Sequence, residues 1–101
     1  MNGQKLKGML GLAIRAGQTA AGAEACRILI RTGKCGVLLL DGDTGLNTRK
    51  RAAAICGQTE TPMAILPEGT ILEATGRNNM VLGIHKGSIA EQIIAVIHSE
   101  S

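Results

Sequence analysis

The chain has 101 residues, a net charge of +3 and no Phe, Tyr or Trp, which allows one domain with its own core and leaves no room for a second. Without aromatic side chains it lacks the stacking platforms on which single-stranded RNA and DNA modules rely. No apolar run approaches the roughly 20 residues needed to cross a bilayer and no leader pattern is visible, so we expect a cytoplasmic protein without a membrane partner.

In chain order, Gln4 to Ala16 places Leu6, Met9, Leu10 and Ala13 at helical spacing, and Gly17 ends that helix. Gln18 to Ala21 is a short extended link. Gly22 then opens a second helix, AEACRILIRTG, in which Ala25, Ile28, Leu29 and Thr32 share one face and Glu24, Arg27 and Arg31 another, with Gly33 as its stop. After Lys34 the run Val37 to Leu40 is apolar without interruption. Bounded by turn residues, it reads as a strand buried on both faces, which requires helices on both sides of the sheet.

The strand breaks into the Asp41, Gly42, Asp43 and Thr44 loop, after which Asn47 has the character of an N-cap for a helix from Thr48 to Gln58 with Ala52, Ala53, Ile55 and Cys56 inward. Arg49, Lys50 and Arg51 fall in its first turn, where the helix dipole disfavours cations; phosphate contact is one reason to place them there, a solvated charge run the other. Asp41 and Asp43 suit loop and capping roles better than a metal site, since no third acid or His is near in sequence. Pro62 to Leu66 reads as a further buried strand. Thr70 caps a short helix from Ile71 to Thr75 that ends at Gly76, the polar loop Arg77, Asn78 and Asn79 follows, and Met80 to Ile84 is the last strand. Ser88 and Glu91 have the spacing of a capping box for a final helix that buries Ile89, Ile93, Ile94, Val96 and Ile97.

Strands alternating with helices in this order predict an α/β fold, a three-layer α/β/α sandwich around a mixed sheet of about four strands, formed as one domain over residues 1–101. Cys26, Cys35 and Cys56 lack the paired spacing of a zinc or redox motif and read as small buried thiols. His85 and His98 have no partner at catalytic or metal-ligand spacing, so we expect neither catalysis nor a cofactor or metal. Charge is divided unevenly. Residues 1–51 carry nine Lys or Arg against three acids, whereas residues 52–101 carry two against five, so any face that attracts phosphate belongs to the first half.

Gly22 has two readings, a plain turn glycine or a position that lets a ligand approach the first free amides of a helix, which favour an anion. Glu24 either stabilises the first turn or accepts from a base edge, and Arg27 reaches the same helix end.

LGLAIRAG from Leu10 to Gly17, Gly22 at the second helix, Gly33 before VLLLD, LNTRKRAAAIC from Leu46 to Cys56, and Gly76 with Arg77 before the last strand follow one another at characteristic distances. Together they resemble the family of ribosomal proteins L-seven-Ae and L-thirty-e, in particular its small bacterial members that bind kink-turn RNA or associate with the ribosome. The resemblance implies an α/β/α sandwich whose second helix enters the widened groove of a kinked duplex while the loop before the last strand covers an extruded or stacked base. On this chain those elements are Gly22, Ala23, Glu24, Ala25, Arg27 and Ile28, and Arg77, Asn78, Asn79 and Met80. Where kink-turn binders have a Gly, X, Asn, Glu, X, X, Lys pattern, this chain has Glu24 and Ala25 at the Asn and Glu positions and Ile28 at the Lys position.

The expected function is therefore recognition of structured, kink-turn-like RNA, ribosomal RNA included. Arg31, Lys34, Asn47, Arg49 and Lys50 are added as candidate contacts beside the two elements. The alternative is a protein-interaction module on the ribosome or another assembly, without direct RNA contact.

Overall fold

The computed structural model describes residues 3–99. Nine elements follow one another: α1 (Gly3–Arg15), β1 (Thr19–Ala21), α2 (Ala23–Arg31), β2 (Cys35–Asp41), α3 (Leu46–Thr59), β3 (Met63–Leu66), α4 (Thr70–Thr75), β4 (Val81–His85) and α5 (Ser88–Ser99). The four strands form one mixed sheet in the order β1-β4-β2-β3, with β4 antiparallel to both its neighbours and β3 parallel to β2. The expected three layers are present.

Alternation along the two central strands builds the layers. Val37 and Leu39 of β2 and Leu82 and Ile84 of β4 point into one core with Leu6, Leu10, Ile71 and Ile93 from α1, α4 and α5. Leu38, Leu40 and Val81 point the other way, under Cys26, Leu29 and Ile30 of α2 and Ala52 and Cys56 of α3. Each fully buried Leu or Ile contributes about 1.5–3 kcal/mol relative to exposure, and a core of such residues compensates for the missing aromatics. Lys7 of α1 and Glu73 of α4 form an ion pair across the outer layer.

Five local expectations differ from the structure, and one is Ala53, expected inward on α3 but exposed. The buried stripe of α2 is Cys26, Leu29 and Ile30; Leu29 is the one member of the expected Ala25, Ile28, Leu29 and Thr32 face that is buried, and Ile28 is 55% exposed. The rotation follows from Gly83 on β4, where an added Cβ would stand 3.2 Å from Leu29 Cδ2 and 3.4 Å from Cys26 Sγ. The helix seats on that bare strand position, and Leu29 and Cys26 are the side chains that reach it. Asn47 does not cap α3. The cap position is Gly45, extended at φ −64° and ψ 156° without a side-chain bond, and Asn47 lies inside the first turn.

Likewise Gly69 rather than Thr70 precedes α4. Finally, β3 is an edge strand, and its Ile65 is 44% exposed, so only Leu66 of the expected buried run is fully covered.

Candidate nucleic-acid interface

The topology gathers several helix starts and loops at one end of the sheet. Ala21 pairs with Leu82 and Leu40 with Val81, so β1 and β2 finish where β4 begins, and β3, parallel to β2, finishes there too. Consequently α2, α3 and α4 all begin at this end, after Gly22, Gly45 and Gly69, and none of the three carries a side-chain cap. Uncapped N-termini leave amides and the positive end of the dipole facing outward.

Gly22 combines φ 90° with ψ 159°, a region open in practice only to glycine. That conformation lets its N–H donate to Val81 O at 3.0 Å while its carbonyl accepts from Cys26 N at 3.1 Å, so the chain leaves the sheet and enters the helix without a spacer. A Cβ on Gly22 would stand 3.9 Å from Asn79 Oδ1. The helix start and the Arg77, Asn78, Asn79 and Met80 loop are thus neighbours. Thr75 shapes that loop: its hydroxyl accepts from Arg77 N and bonds the carbonyls of Ile71 and Arg77.

The Asp41–Gly45 loop stands on the other side of Met80. Asp41 N–H donates to Met80 O at 2.8 Å, and the Thr44 hydroxyl reaches the same carbonyl at 3.4 Å. Asp41 itself is 4% exposed; its Oδ2 accepts from Asp43 N at 2.8 Å and its Oδ1 from Gly69 N at 2.9 Å. Both carboxylate oxygens are therefore engaged in holding loops together, the capping role expected for it. Arg49 closes the same loop, donating from Nε to Thr44 O at 2.8 Å and from its guanidinium to Gly42 O. Its charge is directed at backbone carbonyls of its own chain and not outward, which accounts for a cation in the first turn of α3.

Ala23, Glu24, Ala25, Arg27 and Ile28 are exposed along α2. Arg27 and Glu24 pair at 2.5 Å, with 51% and 70% of their side chains exposed. Such an exposed pair contributes at most about 1 kcal/mol, so both groups stay available to a ligand. Asn47 and Lys50 are exposed at the start of α3, and Arg77 and Asn78 at the tip of their loop. Two candidates lie apart from this cluster. Arg31 ends α2, and Lys34, whose carbonyl accepts from Lys86 N at 2.9 Å, sits at the opposite end of the sheet. Leu46, 65% exposed at the first position of α3, was not singled out from sequence. The available signal was an apolar residue outside the Ala52 and Cys56 register of its helix.

The thiols beneath α2 are free and buried. Desolvation pushes Cys26 up to about 12 and Cys56 up to about 11, and raises Cys35 as well, so they act as small apolar groups and not as nucleophiles. No described helix is long and apolar enough to cross a membrane.

No family model matches the sequence. The chain is 29% identical over 92 residues to the RNA-binding protein YlxQ of Enterococcus faecium, an alignment covering 90% of this chain and 89% of that protein. A solved structure of a Bacillus halodurans protein of unknown function superposes with a TM-score of 0.88 at 26% identity, covering 93% of this chain and 97% of the other. The Giardia lamblia 15.5kD RNA binding protein shares the fold, with a TM-score of 0.74 at 13% identity over 96% of this chain and 84% of its own. Motif order, a relative aligned nearly end to end and a common fold agree. All three are in keeping with the chain's resemblance to the L-seven-Ae and L-thirty-e family. The positions at which it departs from that family's helix pattern, Glu24, Ala25 and Ile28, are all exposed on α2, so the departures leave the packing of the helix unchanged.

Proposed function

We infer that this protein binds structured RNA through the end of the molecule where α2 and α3 begin, and that the preferred RNA is a kinked duplex such as occurs in ribosomal RNA. The single observation that carries the reading is the uncapped, glycine-led start of α2 placed directly beside the Asn79 loop. Two chemically different contacts thereby lie within one RNA groove. The open amides after Gly22 and the Arg27 guanidinium suit closely spaced phosphates, and the Arg77 to Met80 loop adds a shape-sensitive edge. Glu24 offers a carboxylate acceptor to a base amino group at the same place. The name of the E. faecium relative, an RNA-binding protein, supports the same conclusion. The role is binding and not catalysis, and the setting we propose is the cytoplasm, on or near the ribosome.

Labelled-RNA titrations at two salt concentrations test this, comparing a kink-turn hairpin with one whose tandem G and A pairs are replaced by Watson-Crick pairs. The expected result is tighter binding to the kinked hairpin that persists at the higher salt. Equal and strongly salt-dependent binding to both would reduce the surface to a general basic face. No binding to either would refute the RNA reading altogether.

A further inference from the structure

The same end of the molecule continues into a groove between α2 and α3. Both helices start there and run in the same general direction along the sheet, leaving a depression of about 430 Å³ between them, within the size range of small-ligand sites. Its floor is apolar, made by buried Cys26, Ile30, Leu38 and Ala52, and its rim carries Arg27, Arg31 and Arg51 against a single acid, Glu24. Since Glu24 is paired with Arg27, the exposed Arg31 and Arg51 add two positive charges that no carboxylate lining the groove offsets.

Although the chain has no aromatic platform for stacking, an aliphatic floor between cations still matches, by van der Waals contact and charge, a ligand that alternates flat, weakly polar faces with anions. A nucleotide strand has that composition. We propose that the α2–α3 groove is a second RNA subsite, which takes a short unpaired strand leaving the duplex at the Gly22 end, with bases against the floor and phosphates on Arg31 and Arg51. This rests on the RNA-binding reading above and extends it from a duplex to a duplex with a single-stranded extension. From Glu24 to Arg31 the helix rises about 10 Å, which at about 3.4 Å per stacked nucleotide accommodates about three nucleotides. Contacts of this kind read backbone and base faces, not base edges, so the subsite tolerates any sequence.

The test compares a blunt hairpin with the same hairpin extended by about three unpaired nucleotides, on each strand in turn, and takes the ratio of the two affinities within each protein. In the unsubstituted protein one of the extensions should tighten binding about fivefold, Arg51→Ala should reduce that gain below about twofold, and Arg51→Lys should retain most of it. Photocrosslinking of a thiouridine placed in the extension should label the α3 segment that contains Arg51 and Ile55. An equal gain in Arg51→Ala, or crosslinks only outside α2 and α3, would overturn the proposal. So would blunt hairpin binding with no gain from either extension, and that pattern would leave the duplex reading standing. Loss of blunt hairpin binding would sink both. Tight binding of an acidic amphipathic peptide in place of the extension would assign the groove to a protein partner and likewise refute it.

Discussion

Asp41 offers the sharpest test of how the loops at the interface end are held. It ends the central strand, is 4% exposed, and accepts two backbone N–H bonds, at 2.8 Å from Asp43 and at 2.9 Å from Gly69. Hydrogen bonds to a charged acceptor are each worth about 1.5–3 kcal/mol net. Asp41→Ala removes both and leaves the half-buried Gly69 amide without its acceptor, so we expect a loss of about 3–5 kcal/mol. That is a large part of a total of about 5–15 kcal/mol, and at about 4–8 °C per kcal/mol it lowers Tm by at least about 12 °C. Asp41→Asn keeps one acceptor but turns an amide NH2 toward the other N–H, so it should recover no more than half of the loss. Urea unfolding followed by far-UV circular dichroism is the suitable assay, because the chain has no Tyr or Trp to report by fluorescence. A loss under about 1 kcal/mol for Asp41→Ala would refute the reasoning and reduce Asp41 to an ordinary surface acid.

Three further outcomes are expected. Arg27→Ala should weaken RNA binding and lower the slope of log affinity against log salt by about one, whereas Arg49→Ala should lower stability by about 1–2 kcal/mol with the slope unchanged; a changed slope for Arg49 would return it to the phosphate contacts. Gly22→Ala should cost about 1–3 kcal/mol in stability from backbone strain, read as a shift in urea midpoint, and an unshifted midpoint would mean that the turn relaxes without effort. Stability should also fall at alkaline pH. The thiols of Cys26 and Cys56 ionise near 9 when exposed and near 12 and 11 when buried, so above pH 9 the unfolded chain holds fewer protons than the folded one. Their contribution is complete below pH 9 and is lost as pH rises through 11 and 12. Urea midpoints at roughly pH 8 and pH 10 check this, and an equal or higher midpoint at the upper pH would contradict it.

The order of elements was legible because local patterns carried it. The uninterrupted Val37 to Leu40 run and the Ile93, Val96 and Ile97 spacing each have a single solution, and both occupy the core as expected. What stayed hidden depended on residues far away in sequence. Five of the nine α2 residues are Ala, Cys, Ile or Leu in overlapping stripes between Ala25 and Ile30, and the choice among them was made by bare Gly83 on a strand that arrives over fifty residues later.

The status of Met63–Leu66 as an edge strand depended on strand order, which no local pattern reports. The same applies to the candidate site. Gly22 and the Arg77 to Met80 loop were both visible as irregular stretches, but their adjacency, the inward use of Arg49 and the distance of Lys34 follow from which strand ends coincide. A charge in a sequence has a sign and no direction.

The two borders of the sheet have a consequence for how the molecule behaves in a crowded solution. β1 has three residues and β3 four, and β3 is enclosed by Pro62 and Pro67, neither of which has an N–H to donate. An exposed strand invites pairing with the strand of a neighbour, and the exposed Ile65 makes β3 the more inviting of the two. Its length permits only a few cross-chain bonds before a proline interrupts the ladder. The apolar sheet of this chain is thereby kept from growing into a shared one, and polymerisation through its border should be disfavoured even at high protein concentration.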